Sequence, residues 1–457
     1  MNIKIVSLLV AVALLTVASQ AQTVTIIATL TADNWAPSML VQGRDGILYG
    51  TSFLGGRRQV GSAFKVDPAT GTVTQIHSFT GDDGNGPNGL TLATDGYLYG
   101  ATNFTGRSSA GLGEIYKMEP SGKVTVLHAF GFSDGGYPYA PPIQAADGNF
   151  YGTTDIGGMS TNISCSGQGC GVVYRVSSSG QFSVIYNFDW TSGSAPRTEP
   201  LQASDGSLNI SAYVGGDFVA GTVVQLTTSG ALQKSYTFQG TPDPQTPDGT
   251  LIQGADGTFY GTSFDGGTSG FYGTVFQLSK KYALRVIHSF ALADGTNPTS
   301  GVIQGTDGYL YGTTSEQGTL GIGTLYQLST GGNFVLLDSS LSYPSGLVQH
   351  TNGKFYGATV GGGNGYGTIF QLDMGLAPFV ALVNPIGKAG QGIGILGQGF
   401  TGTSSVTFNG VSASAFNVVS DTYINAIAPT GVTTGPVQVS TPTGVLSSNK
   451  NFAVKSH

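Results

Sequence analysis

The chain has 457 residues and a formal charge of −7, with 39% hydrophobic and only 9% charged residues. That balance excludes a disordered chain, which would be polar and strongly charged, and with no Lys/Arg cluster it excludes a nucleic-acid partner. Its 73 glycines fall between short alternating runs without a Gly-X-Y period, which excludes collagen.

Residues 1–21 are predicted to be a signal peptide: Lys4 supplies the positive charge, Ile5 to Val17 the apolar run, and Ser19-Gln20-Ala21 the small residues before cleavage. The run is too short to span a bilayer. The expectation is therefore a secreted or cell-surface protein without a transmembrane segment in the mature chain, present as a monomer. No Cys follows the cleavage point, so no lipid anchor is expected there.

From Asp45 onward one phrase recurs. DGYLYGTT begins at Asp307, DGTFYGTS at Asp256 and DGNFYGTT at Asp147, with further copies at Asp45, Asp95, a degenerate one at Asp205, and NGKFYGAT at Asn352. The steps between markers are 50, 52, 58, 51, 51 and 45 residues. A catalytic motif is needed once, whereas a phrase at a steady interval is a structural unit. Each unit reads as four short strands. In the sixth, GVIQGT leads through the Asp307-Gly308 turn to YLYGTT, then GTLYQLS and NFVLLD follow a Gly-rich loop. Asp-Gly between alternating apolar runs marks a hairpin, because the turn requires positive φ.

Seven such units predict a seven-bladed β-propeller over residues 22–375. A β-solenoid is the competing architecture, and the chain ends decide between them. The seventh unit supplies only three strands, and residues 23–30 (TVTIIATL) match the fourth-strand pattern. The N-terminal strand is thus expected to close the last blade, which a ring needs and a solenoid does not.

The phrases DGYLYGTT, GTVFQLS and VIHSF resemble those of the GloVer tandem-repeat proteins, exported bacterial proteins with variable (choice-of-anchor) anchoring regions. The resemblance covers residues 23–373, and that family carries no established catalytic residues to transfer. Kelch propellers have a similar period but need a Trp in each blade, and this chain has two Trp in all.

Residues 378–457 read as short strands split by Gly and Pro, which predicts an immunoglobulin-like β-sandwich. The segments at Asn384, Gly397–Phe400, Val406–Gly410 and Asn425–Val437 resemble an IPT/TIG domain. Such domains serve as spacers or binding modules.

Candidate chemistry is sparse. Cys165 and Cys170 are the only cysteines, with no His near enough for a zinc site, so a local disulfide is expected. His77, His128 and His288 occupy one place in separate fourth strands and would point outward, so no metal site is expected. Neither is a cofactor. Four Glu are scattered, and six Asp mark hairpin turns, so no carboxylate pair stands out for catalysis. Gln42, Gln144, Gln202, Gln253, Gln304 and Gln349 each stand three residues before a marker; hydrogen bonding between blades or to channel water accounts for them, with a ligand held in the channel as the alternative. Asp83, Asp134 and Asp294, each followed by Gly, read as turn formers, with Ca²⁺ binding as the alternative that the few oxygen ligands in each loop disfavour. Ligand-binding residues are expected in the loops after the fourth strands: Trp35, Phe132, Asp134, Tyr137, Tyr139 and Trp190. Aromatic faces beside Asp and Asn suit sugars. The expected function is a non-enzymatic surface or secreted binding protein whose partner is an extracellular polysaccharide or a cell-surface protein. A secreted carbohydrate-active enzyme and a purely structural matrix protein are the alternatives.

Overall fold

The computed structural model describes residues 22–106, 111–160, 162–165, 167–318 and 322–455. The expected signal peptide lies outside them. The described residues are all-β: no α-helix occurs among them, and the 3-10 turns Ala32–Asn34 and Ile163–Cys165 are the only helical elements.

The repeated units fold as antiparallel sheets, here numbered one to seven by their inner strands: Val41–Gln42, Thr91–Leu92, Ile143–Gln144, Leu201–Gln202, Ile252–Gln253, Ile303–Gln304 and Pro344–Gln349. In sheet six the inner strand pairs with Leu310–Thr314, which pairs with Thr324–Leu328, which pairs with Phe334–Asp338. Sheet two departs from the expected four strands. Its second strand, Leu98–Phe104, runs two residues longer than its counterparts and pairs with an extra short strand, Asn85–Pro87. In sheet seven Thr23–Thr29 pairs with Thr368–Asp373, so the outer strand comes from the opposite end of the chain.

The recurring phrase now has a physical reading, letter by letter. The Asp caps its own turn: in sheet six one carboxylate oxygen accepts from the Tyr309 N–H at 3.2 Å. The other accepts from the Tyr311 hydroxyl at 2.7 Å. The same Tyr-to-Asp bond joins Tyr49 to Asp45, Tyr99 to Asp95, Tyr151 to Asp147 and Tyr260 to Asp256. The Gly after this Tyr makes room for an aromatic ring on the third strand. A Cβ on Gly261 would lie 2.6 Å from the Phe276 ring and 2.8 Å from Leu251. The following Thr reaches the next sheet: Thr153, Thr262 and Thr313 donate to the carbonyls of Thr198, Ser300 and Ser345.

The glutamines fasten the other end of the same seams. Gln202 Oε1 accepts from the Ala146 N–H of the preceding sheet at 2.8 Å, and Nε2 donates to Gly206 O of its own hairpin. Gln144, Gln253, Gln304 and Gln349 repeat this pattern. Gln42 accepts from the Thr351 N–H at 2.9 Å, which links sheet seven back to sheet one. Where Leu92 replaces Gln, Arg44 bridges instead, donating to Thr94 O. The linked sheets bury their second strands completely, as in Leu310–Thr314 and Phe355–Thr359. Strands apolar on both faces are what sheets stacked between neighbours require.

The C-terminal strands form two four-stranded sheets and a parallel pair, Ile386–Gly387 with Ala453–Val454. They enclose a core that includes Phe400, Phe408 and Phe452. This module seats on the hairpin end of the linked sheets. Thr422 Oγ1 donates to Arg44 O at 2.7 Å, Gln398 Nε2 donates to Thr351 Oγ1 at 2.9 Å, and the Arg44 guanidinium lies 4.4 Å over the Tyr423 ring. Leu396 and Tyr423 join the core of sheets one and two.

Candidate functional site

The loops after the second and fourth strands lie together at the end opposite the module, tied by bonds such as Phe53 N–H to Ala36 O and Asp155 N–H to Tyr137 O. Of the 20 large exposed hydrophobic residues among those described, 11 lie on these loops, including Trp35, Phe132, Met159, Phe218, Phe271 and Tyr343. Phe271 is 63% exposed and Phe218 57%. More than half of the large exposed hydrophobic side chains are thus gathered at one end of the molecule.

The residues expected to bind ligand are all on this end, but they are not one cluster. Trp35 is 6.2 Å edge-on from Tyr366, at the seam of sheets seven and one. Trp190 is half-buried and packs on the apolar cluster that contains Cys165 and Cys170. Tyr137, at positive φ, is edge-on to Phe104 at 5.6 Å, and Phe132 is exposed. Asp134 is engaged locally: one oxygen accepts from the Gly131 N–H at 2.8 Å and the other is 3.0 Å from His128 Nε2. Tyr139 alone reaches the axis of the molecule.

His77 and His288 have the same relation to Asp83 and Asp294, at 2.8 and 3.2 Å. The three pairs sit on separate sheets, and His128 and His288 stack on Phe182 and Phe334 of the following sheets. Burial pushes both of these imidazoles below their ordinary pKa, against the pull of the paired Asp. They act as turn locks. Among the described residues no group of three or more His, Cys, Asp or Glu is placed to hold a metal ion. Cys165 and Cys170 are joined in a disulfide and are buried.

A cavity of about 580 Å³ runs along the axis, lined by the inner-strand segments of all seven sheets. Ala381, Leu382, Val383 and Leu396 of the C-terminal module form its floor at the hairpin end. Its lining holds three charged residues, Arg197, Glu199 and Asp248, all from sheets four and five. Tyr139, Arg197 and Asp248 stand five residues before Gln144, Gln202 and Gln253, so equivalent places on three consecutive sheets meet at the mouth. Arg197 Nε donates to Asp155 at 2.7 Å, and its guanidinium lies 4.3 Å over Tyr213 and 5.4 Å from the Tyr139 ring.

Burial pushes Asp248 up to about 6, with Asp155 adding to the rise and Arg197 opposing it. Glu199 is pushed up to about 7 by burial alone. Its side chain meets solvent only through the channel, so it is deep in the protein although a part of its surface is reachable. The sequence singled out neither group: the glutamates looked scattered, and the fold brings Glu199 and Asp248, from adjoining sheets, into the lining of one cavity.

Linked four-stranded antiparallel sheets around an axial cavity define a propeller-like tandem-repeat protein. Residues 11–162 and 160–340 match the Gloeobacter/Verrucomicrobia repeat, and the chain belongs to that family. No curated protein sequence matches it. Among solved structures it is similar to a fungal alcohol oxidase of the AA5 family in complex with copper, at 13% identity over 96% of this chain and 100% of that one, with a TM-score of 0.49. A putative 6-phosphogluconolactonase from Bacteroides fragilis is 17% identical over 72% of this chain and 89% of that one, with a TM-score of 0.47. A PQQ-bound aldose sugar dehydrogenase from Streptomyces coelicolor is 14% identical over 78% and 99%, with a TM-score of 0.43. These likenesses transfer no activity.

Proposed function

We propose that the chain is an exported, non-enzymatic binding protein of the bacterial surface or its surroundings, with the loop end as its capture face. In this reading residues 1–21 direct export, residues 22–375 form a seven-bladed β-propeller closed by residues 23–30, and residues 378–457 form an IPT/TIG-type immunoglobulin-like domain. Seven sheets, seven seams including Thr351 to Gln42, and one axial cavity support the propeller reading. The observation that carries the function is the asymmetry of the two ends: one is covered by a module, and the other exposes Trp35, Phe132, Tyr139, Phe218 and Phe271 without cover.

Polysaccharide is the ligand class that such rings favour, because aromatic faces pack on the C–H surfaces of sugars. The test is a polysaccharide and cell-wall array probed with the mature protein and with a Trp35→Ser, Phe132→Ser, Phe271→Ser variant. Capture by the parent and loss in a variant of equal melting temperature is the expected result. Equal capture by both removes the loop end from the reading. The raised carboxyls of Glu199 and Asp248 favour a carbohydrate-active enzyme as the second reading. Chain shortening of a captured polymer, abolished by Glu199→Gln, would replace the first reading by that one.

A further inference from the structure

The segments that lead into the inner strands are not all of one length, and the difference falls in one sector of the molecule. In every sheet the segment begins at a proline whose preceding residue has φ between 51° and 68°. Six of those seven preceding residues carry a side chain, for which this conformation is uncommon, so the turn is one fixed point of the repeat. Pro37, Pro87 and Pro344 stand five residues before Gln42, Leu92 and Gln349. Pro138, Pro196, Pro247 and Pro298 stand six residues before Gln144, Gln202, Gln253 and Gln304. Sheets three to six therefore carry one additional residue between two fixed points. Hydrogen bonds identify it. Ser38 Oγ is 2.8 Å from Thr51 Oγ1 in sheet one, and Ser300 Oγ is 3.0 Å from Thr313 Oγ1 in sheet six. Ser300 thus takes the place of Ser38, and Thr299 is the addition. By the same count the additions in sheets three, four and five are Tyr139, Arg197 and Asp248. All four line the axial cavity.

Sheets one, two and seven form without such a residue, so the repeat itself does not require it. The four additions stand on consecutive sheets and differ in kind: an aromatic ring, a guanidinium, a carboxyl and a hydroxyl. Variation carried by loops on a fixed scaffold is where binding residues are placed. We propose that Tyr139, Arg197, Asp248 and Thr299 form a crescent on one side of the channel mouth that holds one uncharged hexopyranose unit of a polysaccharide. The inference rests on the reading of the loop end as the capture face.

Each member has a task that its geometry permits. Tyr139 is 41% exposed and offers a ring face to the C–H surface of a sugar. Arg197 is held in place from three sides, by Asp155 at 2.7 Å from Nε, by the Tyr213 ring at 4.3 Å and by the Tyr139 ring at 5.4 Å. The bond to Asp155 engages Nε and leaves the Nη groups as donors to sugar hydroxyls. Asp248 accepts from hydroxyls, and the exposed Thr299 hydroxyl does either. The order of charges selects an uncharged ring. A sugar carboxylate would meet Asp248 beside a guanidinium already matched by Asp155, and a sugar ammonium would meet Arg197 between Tyr139 and Asp248. The cavity volume of about 580 Å³ falls in the range of roughly 300–1,000 Å³ that small ligands occupy.

The experiment is isothermal titration of the mature protein with β-1,4-linked hexamers of glucose, mannose and galactose, and with hexamers of galacturonic acid and of glucosamine as charged counterparts. At least one uncharged hexamer is expected to bind, about tenfold or more tighter than either charged one. Tyr139→Ala and Asp248→Ala should each weaken that binding at least about tenfold at an unchanged melting temperature. Thr299→Ala, which removes a single exposed hydroxyl, should weaken it about threefold. Affinity unchanged in the Tyr139 and Asp248 variants, a charged hexamer bound best, or no uncharged hexamer bound at all overturns the proposal. Hexamer binding lost in Tyr139→Ala and Asp248→Ala, with polysaccharide capture kept by the Trp35→Ser, Phe132→Ser, Phe271→Ser variant, upholds the crescent and removes the outer loop rings. The reverse pattern upholds the loop rings and removes the crescent.

Discussion

The two ends of the linked sheets are built from the same seven units and have opposite character. At the hairpin end the positions recur with few exceptions: an Asp-Gly turn (Asn-Gly in sheet seven), a tyrosine hydroxyl on the Asp (Asn209 replaces the Tyr in sheet four), a glutamine on the next sheet (Arg44 serves where Leu92 stands), and a module over the top. At the loop end lengths differ, and Phe and Trp stand in solvent. The difference separates constraint from opportunity. The end that repeats joins one sheet to the next seven times over, and the end that varies has no such duty.

The strongest way to break this comparison is to remove a member of the repeating architecture. Deleting residues 22–30 strips the outer strand from sheet seven, exposes the edge of Thr368–Asp373 and removes the buried Leu30. A fall in melting temperature on the order of 10 °C, with aggregation, is expected in scanning calorimetry. An unchanged melting temperature would show that the strand closes nothing.

Next in size is the glycine that faces an aromatic ring. Gly261→Ile should cost about 3 kcal/mol in denaturant unfolding, because its Cβ has no room beside Phe276. Sheet four shows the remedy, since Ile210 there lies opposite Val224 where sheet five has Gly261 opposite Phe276. Adding Phe276→Val to Gly261→Ile should therefore recover more than half of the loss, a coupling that a double-mutant cycle measures.

A single seam bond is worth less. Gln253→Ala removes the acceptor of the Ser204 N–H and the donor to Gly257 O, and about 1 kcal/mol should go with them. The seam of sheets one and two, which uses Arg44, should not respond.

The acids provide a pH test. Glu114 is buried, one of its oxygens has no partner, and burial with Asp83 and Asp82 nearby pushes it up to about 7. A carboxyl raised in the folded state holds its proton there longer than in the unfolded chain. Its contribution is complete below the ordinary carboxylate range and is lost as pH rises from about 4.5 to about 7. Glu114→Gln should flatten the decline of melting temperature over that window. An identical pH profile would remove Glu114 as its source.

The smallest effect is expected at the varying end. Phe218→Ser and Phe271→Ser should each move stability by less than about 0.5 kcal/mol in denaturant melts. A larger loss would mean that these exposed rings serve the fold after all.

The repeating end was legible in the sequence because its causes are local. The Asp-to-Tyr bond spans four residues, the glutamine precedes its turn by three, and the strand pattern has a period of two. Sheet four was legible mainly through spacing. Its Asn209 stands where the other units have Tyr, and the ring comes instead from Tyr282 of sheet five, whose hydroxyl donates to Asn209. The channel acids were hidden for the opposite reason. Alignment of the units on their glutamines would have placed Tyr139, Arg197 and Asp248 in one column and Glu199 two residues deeper. Only the closing of the sheets around an axis makes such columns neighbours. Phe218, Phe271 and Met159 lie in loops with no period, so sequence pattern had nothing to grip.

The pairing of Thr23–Thr29 with Thr368–Asp373 also sets an order in time. A chain emerges N-terminus first, so the strand that appears earliest is among the last to find its partner. Until Asp373 has emerged, sheet seven lacks its outer edge and the series of sheets stays open at that seam. The intervening loop is long, but closure entropy grows only slowly with length, so the penalty falls on speed more than on stability. The module that floors the channel begins only a few residues after Asp373. Completing the clasp and seating the floor are thus nearly one event, and the axial cavity comes into existence at the very end of folding.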